Sequence, residues 1–446
     1  MALLLGLDIG TTSAKAVVFD EDGTAIGQGR ARTPWVTTGI GVELRPTDLV
    51  DIVATALNQA LASTPGSEPV AAVGITSMGE SGVLLDGADQ PVAPIIAWHD
   101  LRDTEDVQAL RDEIGEDEFC ATTGKPLRGQ FSLTKHRWLT RHDPGVAAAV
   151  RRFNIAEYVV KMLGGAEACE LSLASRTGWF DIQRRDWWEA GLAFSGAEAS
   201  LMPTLVNAGD PVGTISSDLV DPRLHLAVLT LVGHDHQAAA AGAGASGVGS
   251  ELDSCGTAEA LVRTVEPTLT RTEIGTLARH GVTTDWSIHR GSWSLLGATE
   301  GGLAMQRALA LLGVENDGLP GLDAAAAHAP TGRVTVGGLG TEELTLAGIR
   351  DGVSPAEVWR AVVESVTADA VELHEAMSSV AGPHREMVVT GGWANSEALL
   401  RAKQKGFGPY RRTEVLEAGA RGAALFGARA AGLFSPEQDF GLEGSR

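Results

Sequence analysis

The sequence predicts an α/β protein of two lobes with a cleft between them. Three observations carry this expectation. A chain of 446 residues exceeds what one hydrophobic core usually fills, and two large lobes is the economical division. Strand-like runs near the N-terminus give way to an alternating helix and strand, the pattern of a mixed sheet covered by helices. The second half then begins much as the first does, with a strand running into a Gly-Thr turn, so lobes over residues 1–245 and 246–446 are expected.

Residues 3–9, 14–20 and 25–31 are short apolar or alternating runs broken by Gly10-Thr11-Thr12 and Asp22-Gly23, which reads as an antiparallel meander. Leu49, Val53, Ala56, Leu57, Ala60 and Leu61 follow at helical spacing, and Val70 to Thr76 returns as a buried strand. In the second half, 249–257 and 259–265 read as strands around Gly256-Thr257, and Trp286 to Gly297 supplies more strand. Ser354 to Ser379 is an amphipathic helix with Pro355 suited to its first turn. Glu386 to Gly392 reads as strand and Gly turn before a helix. The Ala-rich stretches 238–243, 324–327 and 418–431 read as close-packed helices rather than low-complexity tails.

Composition narrows the function classes. Hydrophobic residues at 44% and charged residues at 21% are ordinary for a globular chain. Asp plus Glu number 57 against 35 Lys plus Arg, a net charge of −22 that opposes binding to nucleic acid or anionic membranes. Three separated cysteines, Cys120, Cys169 and Cys255, give neither a disulfide framework nor a CxxC metal knuckle and fit a reducing cytoplasm. No signal-peptide pattern or stretch of 18 apolar residues is present, so a soluble, cytoplasmic protein is expected.

Two acidic turns carry the chemistry. In the first, Asp8-x-Gly10-Thr11-Thr12-Ser13-x-Lys15, Gly10 admits an oxyanion, Thr11 and Thr12 donate to phosphate, Lys15 adds charge, and Asp8 holds Mg²⁺ through water; an ordinary hairpin turn is the alternative. In the second, His234-Asp235-His236-Gln237 runs into the Ala238 helix and places a carboxylate where it can activate a hydroxyl. Asp235 as a helix N-cap and a His-Asp-His metal triad are its rivals. Glu80 falls at the carboxyl end of the Val70 strand, where α/β ligand sites form, or is a solvated loop acid. Trp98, Asp100 and Arg102 offer a platform, an acceptor and a donor for a polyhydroxylated ligand, or a surface ion pair.

This order of motifs resembles the FGGY carbohydrate kinases of the actin and hexokinase-like ATPase superfamily, from Leu4 to about Phe434. The resemblance implies two ribonuclease H-like lobes and phosphorylation of a ketose or polyol hydroxyl by ATP with Mg²⁺, a xylulose-like substrate leading over glycerol, tetritols and other pentuloses. It implies Asp235 as general base and, with Asp8, a metal-holding acid. It implies acceptor contacts from Glu80 and His236, with extra room beside Gly79, where relatives carry Arg or Met. For the nucleotide it implies Gly256 and Thr257, the pair Gly302 and Gln306, and the Gly391-Gly392 loop with Asn395 or Ser396. The N-terminal lobe is then the sugar side and the C-terminal lobe the nucleotide side. The expected partner is a small sugar or polyol, with a homodimer allowed; the rival reading is a non-catalytic nucleotide-binding scaffold or regulator.

Overall fold

The computed structural model describes residues 2–245, 247–315, 317–341, 343–435 and 440. Its frame is a pair of six-stranded sheets. The first contains β1 (Leu3–Ile9), β2 (Ser13–Phe19), β3 (Ala25–Arg32), β4 (Val70–Ser77), β5 (Pro211–Thr214) and β6 (Val228–His234), in the order β5-β6-β4-β1-β2-β3. The expected meander is β1 to β3, all antiparallel. β4 runs parallel to both of its neighbours, β1 and β6. β1 reads as an unbroken apolar run rather than an alternation because this central strand is covered on both faces. One cover is α1 (Pro46–Ser63), which buries Leu49, Val53, Ala56, Leu57, Ala60 and Leu61, the periodic residues of the sequence.

The second sheet contains β7 (Ser250–Cys255), β8 (Glu259–Val265), β9 (Thr283–Trp286), β10 (Trp293–Thr299), β11 (Glu386–Thr390) and β12 (Arg411–Arg412), in the order β9-β10-β8-β7-β11-β12. β7 pairs antiparallel with β8 and parallel with β11, the place that β1 holds in the first sheet. The strand material expected over Trp286 to Gly297 divides at a turn between β9 and β10, where Gly291 takes a φ of +76° and Ser287 N–H donates to Ser292 O at 3.0 Å.

Five further helices matter for the site: α2 (Asp235–Gly242), α3 (Gly301–Leu312), α4 (Pro355–Ala381), α5 (Glu397–Phe407) and α6 (Ala418–Ala430). α4 begins as its sequence dictates. Ser354 Oγ accepts from Glu357 N–H at 3.3 Å while the Glu357 carboxylate accepts from Ser354 N–H at 3.0 Å, a capping box with Pro355 in the first turn.

The Ala-rich helices α2 and α6 lie between the sheets. α2 packs Ala240 and Ala243 with Leu252 and Val262 of the second sheet, and α6 packs Ala420 and Ala424 with Leu4 and Ala72 of the first. The last helix therefore returns to the first sheet although it belongs to the half expected as the second lobe. The approach is backbone to backbone: a Cβ added at Gly6 would lie 1.7 Å from Ala420 O, at Gly74 1.8 Å from Ala423 O, and at Gly422 2.0 Å from Ala238 O. No described helix is long and apolar enough to cross a membrane.

Because nothing but hydrogen fits at Gly422, Gly422→Ala should lower stability by about 1–3 kcal/mol or more, the scale of overpacking a tight core. Gly39→Ala, where an added Cβ meets nothing within 4 Å, should be close to neutral. Denaturant midpoints of the two variants against the parent chain check both outcomes.

Candidate active site

Three parallel strands bring three loops to one edge. In register, Ile9 of β1 faces Ser77 of β4 and Ser77 faces His234 of β6, so the segments starting at Gly10, Met78 and Asp235 leave the first sheet side by side, at the carboxyl ends of its strands. A cavity of about 750 Å³ opens there. Thr11, Glu80, Trp98, Arg128, Asp235 and His236 line it from the first half, while Ala258, Thr299, Glu300 and Asp369 line it from the second.

Asp235 is the first residue of α2, and His234 is the N-cap, so capping is not its role. Its Oδ1 accepts from His236 N–H at 2.7 Å and lies 3.4 Å from His234 Nε2. Burial alone would raise its pKa, but His236, His234 and the His236 amide hold it below the usual carboxylate range, so it is ionised near neutrality. His234 is itself driven far down by burial and stays neutral.

The strand end carrying Asp235 is tightly held. His234 N–H donates to Ser172 Oγ at 2.9 Å, and Glu170 accepts from Ser172 N–H at 2.8 Å and Leu173 N–H at 3.1 Å. Gly233, at φ +88°, is required beneath this cluster, since a Cβ would come within 2.2 Å of Ser172 Oγ.

Asp8 faces the same edge. Burial first, and then the nearby Asp235, push its carboxyl up to about 7. Its Oδ1 is buried without a hydrogen-bond partner among the described residues, and Gly419 of α6 leaves room for it, a Cβ there coming within 2.5 Å of Oδ2. Two neighbouring carboxylates, one of them with an orphaned oxygen, suit a hard divalent cation. His234, Asp235 and His236 are not among the described residues that gather three possible ligand atoms closely enough to hold a metal. Elsewhere, the fold gathers Glu251, His374 and His384, but Arg263 occupies that cluster, with Nε 2.6 Å from Glu251 Oε2 and Nη2 3.1 Å from His374 Nδ1.

The rest of the first turn is more structural than its sequence suggests. Thr11 Oγ1 accepts from Trp98 Nε1 at 2.9 Å and Thr11 O from Trp35 Nε1 at 2.7 Å, which ties Thr11 to the Trp98 loop. Ser13 is buried and accepts from Arg30 Nε at 3.1 Å. Lys15 is paired with Glu417 at 2.7 Å. Gly10 closes the turn through its N–H to Ser13 O at 3.1 Å, and Thr12 is exposed.

In the loop after β4, Glu80 is buried at a φ of +67°, a left-handed backbone that a non-glycine residue adopts at a cost. Its Oε1 accepts from Gln130 Nε2 at 2.9 Å, from Arg176 Nε at 2.8 Å and from Arg176 Nη2. Arg176 is the residue that sequence reasoning missed. It fills the space expected to be vacant beside Gly79, where a Cβ would meet Arg176 Cβ and Cγ at 3.0 Å. Its other end reaches the second sheet, with Nη1 2.8 Å from Thr283 Oγ1 and 3.3 Å from Asp285 Oδ2. Lys125 Nζ completes the chain of charges, 2.8 Å from Asp285 Oδ1. No motif surrounds Arg176, and only the tertiary contact reveals it.

Asp100 and Arg102 are not acceptor contacts. They pair with each other at 2.9 Å, Arg102 also reaches Glu43 at 2.7 Å, and Asp100 accepts from Val42 N–H at 2.5 Å. Both side chains are buried in this loop clamp, so the pair is not a surface one either.

At the second sheet, the turn after β7 exposes Thr257 and the turn after β11 exposes Gly392. Gly391, at φ +98°, sits against Cys255, a Cβ there coming within 2.4 Å of Cys255 O. Gly302 is a packing residue: a Cβ would lie 2.0 Å from Gly256 O. Gln306 and Asn395 are exposed, Asn395 receiving Arg412 Nη2 at 2.7 Å. Ser396 is the buried N-cap of α5, accepting from Leu399 N–H at 3.2 Å and donating to Asp323 Oδ1 at 3.1 Å. Of the two alternatives at that loop, Asn395 alone is open to a ligand.

A family model described as the N-terminal domain of the FGGY family of carbohydrate kinases matches residues 3–242. A glycerol kinase from Aromatoleum aromaticum is 30% identical over 466 residues, covering 98% of this chain and 91% of that protein. A xylulose kinase from Streptomyces coelicolor is 29% identical, covering 98% and 89%. Among solved structures, a xyloylose kinase from Brucella ovis matches with a TM-score of 0.86 at 22% identity, covering 97% of this chain and 91% of that one. A glycerol kinase from Plasmodium falciparum with ADP also reaches 0.86, at 18% identity and 98% and 90% coverage.

The anchor beneath Asp235 titrates. Burial pushes the Glu170 carboxyl up to about 8, against the pull of the Ser172 hydroxyl and the Leu173 and Ser172 amides. Between the ordinary glutamate range and that value the folded chain keeps a proton that the unfolded chain has released, so this group makes stability fall as pH rises through the window. Glu170→Gln should flatten that slope, as read from urea midpoints between about pH 5 and 9.

Proposed function

The chain belongs to the FGGY family of carbohydrate kinases, a family of phosphotransferases acting on sugars and polyols, and on that premise we propose that Asp235 is the general base for transfer of the γ-phosphoryl of ATP. The observation that carries this reading is the position of the Asp235 carboxylate, at the first residue of α2, lining the cavity and accepting from the His236 amide at 2.7 Å. The acceptor has the hydroxylated skeleton of a ketose or polyol, xylulose-like in size, and lies between Glu80, the Trp98 loop and His236.

In this mechanism Asp235 takes the proton of the attacking hydroxyl as the oxygen engages phosphorus. The His236 amide and the Ser172 anchor keep the carboxylate aimed at the cavity. Asp8 and Asp235 would hold Mg²⁺, which when bound neutralises charge on the phosphates. The exposed Thr257 and Gly392 turns hold the nucleotide from the 246–446 side, and the acceptor lies on the 1–245 side. Since both halves line the cavity, approach of the two walls excludes water, which protects ATP from hydrolysis. Three free, buried cysteines favour a reducing location, the cytoplasm.

Asp235→Asn keeps shape and removes basicity. It should leave folding and ATP affinity unchanged and lower phosphoryl transfer roughly 10²-fold or more, measured as coupled ADP release over a panel of ketoses and polyols. Near-parental turnover would remove Asp235 from the base role.

Gly392 has open space around it, with nothing within 4 Å of an added Cβ, so Gly392→Trp folds normally and projects an indole where the nucleotide is expected. ATP affinity should fall while acceptor affinity holds, a split that calorimetry with each ligand alone reads directly.

A further inference from the structure

The acceptor end of the cavity is built around charges that cancel, with one exception. Glu80 and Asp285 are neutralised by Arg176 and Lys125, through ion pairs at 3.3 Å from Arg176 to Asp285, at 2.8 Å from Lys125 to Asp285, and a close Arg176–Glu80 contact. Lys135, behind the same wall, is spent on Asp103, the Asp100 carbonyl and the Gly129 carbonyl. Arg128 lines the cavity beside Glu80 and Arg176, and no ion pair or side-chain hydrogen bond holds its guanidinium among the described residues. The surrounding protein and the like charge of Arg176 both lower its pKa, and Glu80, the main opposing charge, is already committed to Arg176. A guanidinium nonetheless keeps its proton at neutral pH.

Its backbone is fixed rather than loose. Lys125 is buried in its pair with Asp285, Gly129 O accepts from Lys135 Nζ at 3.0 Å, and the Gln130 amide donates to Glu80 at 2.9 Å. Residues on both sides of Arg128 are thus pinned to the acceptor wall, and the side chain between them presents a planar fork of donors to the cavity. The cavity's other acids, Asp235 from the first half and Glu300, Asp369 and Glu372 from the second, are not among the main charges acting on Arg128.

We infer that the natural acceptor carries a carboxylate, which Arg128 pairs at the end remote from the hydroxyl facing Asp235. The acceptor is then an acidic relative of a ketose or polyol, an aldonate or ketoaldonate, rather than a neutral sugar. Arg128 is exposed to the cavity's solvent, so a carboxylate can replace water on the guanidinium fork with a bidentate pair, whereas a neutral polyol offers it no counter-charge. The inference rests on the kinase reading for the orientation of the acceptor, and only there.

Calorimetric binding and coupled ADP release, each with threonate against threitol, xylonate against xylitol and gluconate against sorbitol, with xylulose as the neutral ketose, test it. The parent chain should bind the acid of at least one pair roughly 10- to 100-fold more tightly than its neutral partner, the scale of charged hydrogen bonds. Arg128→Gln should erase that preference by weakening the acid alone, and Arg128→Lys should restore part of it. Equal or better binding of the neutral partner in every pair, or an acid preference that survives Arg128→Gln, overturns the inference. Acid binding that depends on Arg128 without phosphoryl transfer to any acceptor upholds it and defeats the kinase mechanism instead. Transfer to xylulose that Asp235→Asn abolishes, with no acid of the panel bound more tightly than its neutral partner, does the reverse.

Discussion

Close backbone contact between two small-residue helices and the sheets on either side of them is the constraint on which the molecule depends. Gly6, Gly74 and Gly422 let α6 sit directly on β1, β4 and α2, and α2 in turn packs on the second sheet through alanines. This contact fixes the distance between the sheets. It also sets the chemistry, because α2 begins with Asp235 and α6 contributes Gly419, whose missing side chain leaves room for the Asp8 carboxylate. A bulkier pair of helices would separate the two acids along with the sheets.

Within that frame, two carboxylates at one edge are driven in opposite directions. Asp235 is kept ionised by histidines and an amide despite burial, while Asp8 is pushed up by burial and by Asp235 itself. Divergent titration of neighbouring acids marks places where protons or cations are handled. Away from the edge, charge is instead cancelled: the Glu80, Arg176, Asp285 and Lys125 series joins the acceptor wall to the outer strand of the second sheet. Buried ion pairs of this kind add little net stability, and removing one member leaves a stranded charge. The Glu80 wall of the cavity and the second sheet are therefore coupled through Arg176, which makes the geometry of Glu80 sensitive to where the second half sits.

Most of the fold was legible in the residues. Periodicity located α1, β4 and α4, the Ser354, Pro355 and Glu357 cap marked a helix start, and the Gly-Thr turns marked strand ends. The Ala-rich stretches 238–243 and 418–431 did prove to be close-packed helices, whereas Ala324, Ala325 and Ala327 are exposed. Local signals also placed Asp235, Glu80, Trp98 and His236 around one cavity, because each lies directly after or near a strand that the parallel pairing carries to the same edge. Several of the expected site side chains are engaged within the protein itself. Thr11 is held by Trp98, Ser13 by Arg30, Lys15 by Glu417, Ser396 by its own helix and Asp323, and Asp100 and Arg102 by each other.

The sequence by itself determined which segments form strands and helices and the order of the turns at the strand ends, since these depend on local pattern. Only the tertiary structure decided that α6 returns to the first sheet, that Arg176 occupies the space beside Gly79, and that Arg128 makes no ion pair among the described residues. Packing partners and charge balance belong to residues brought together across tens to hundreds of positions, and no spacing along the chain encodes them.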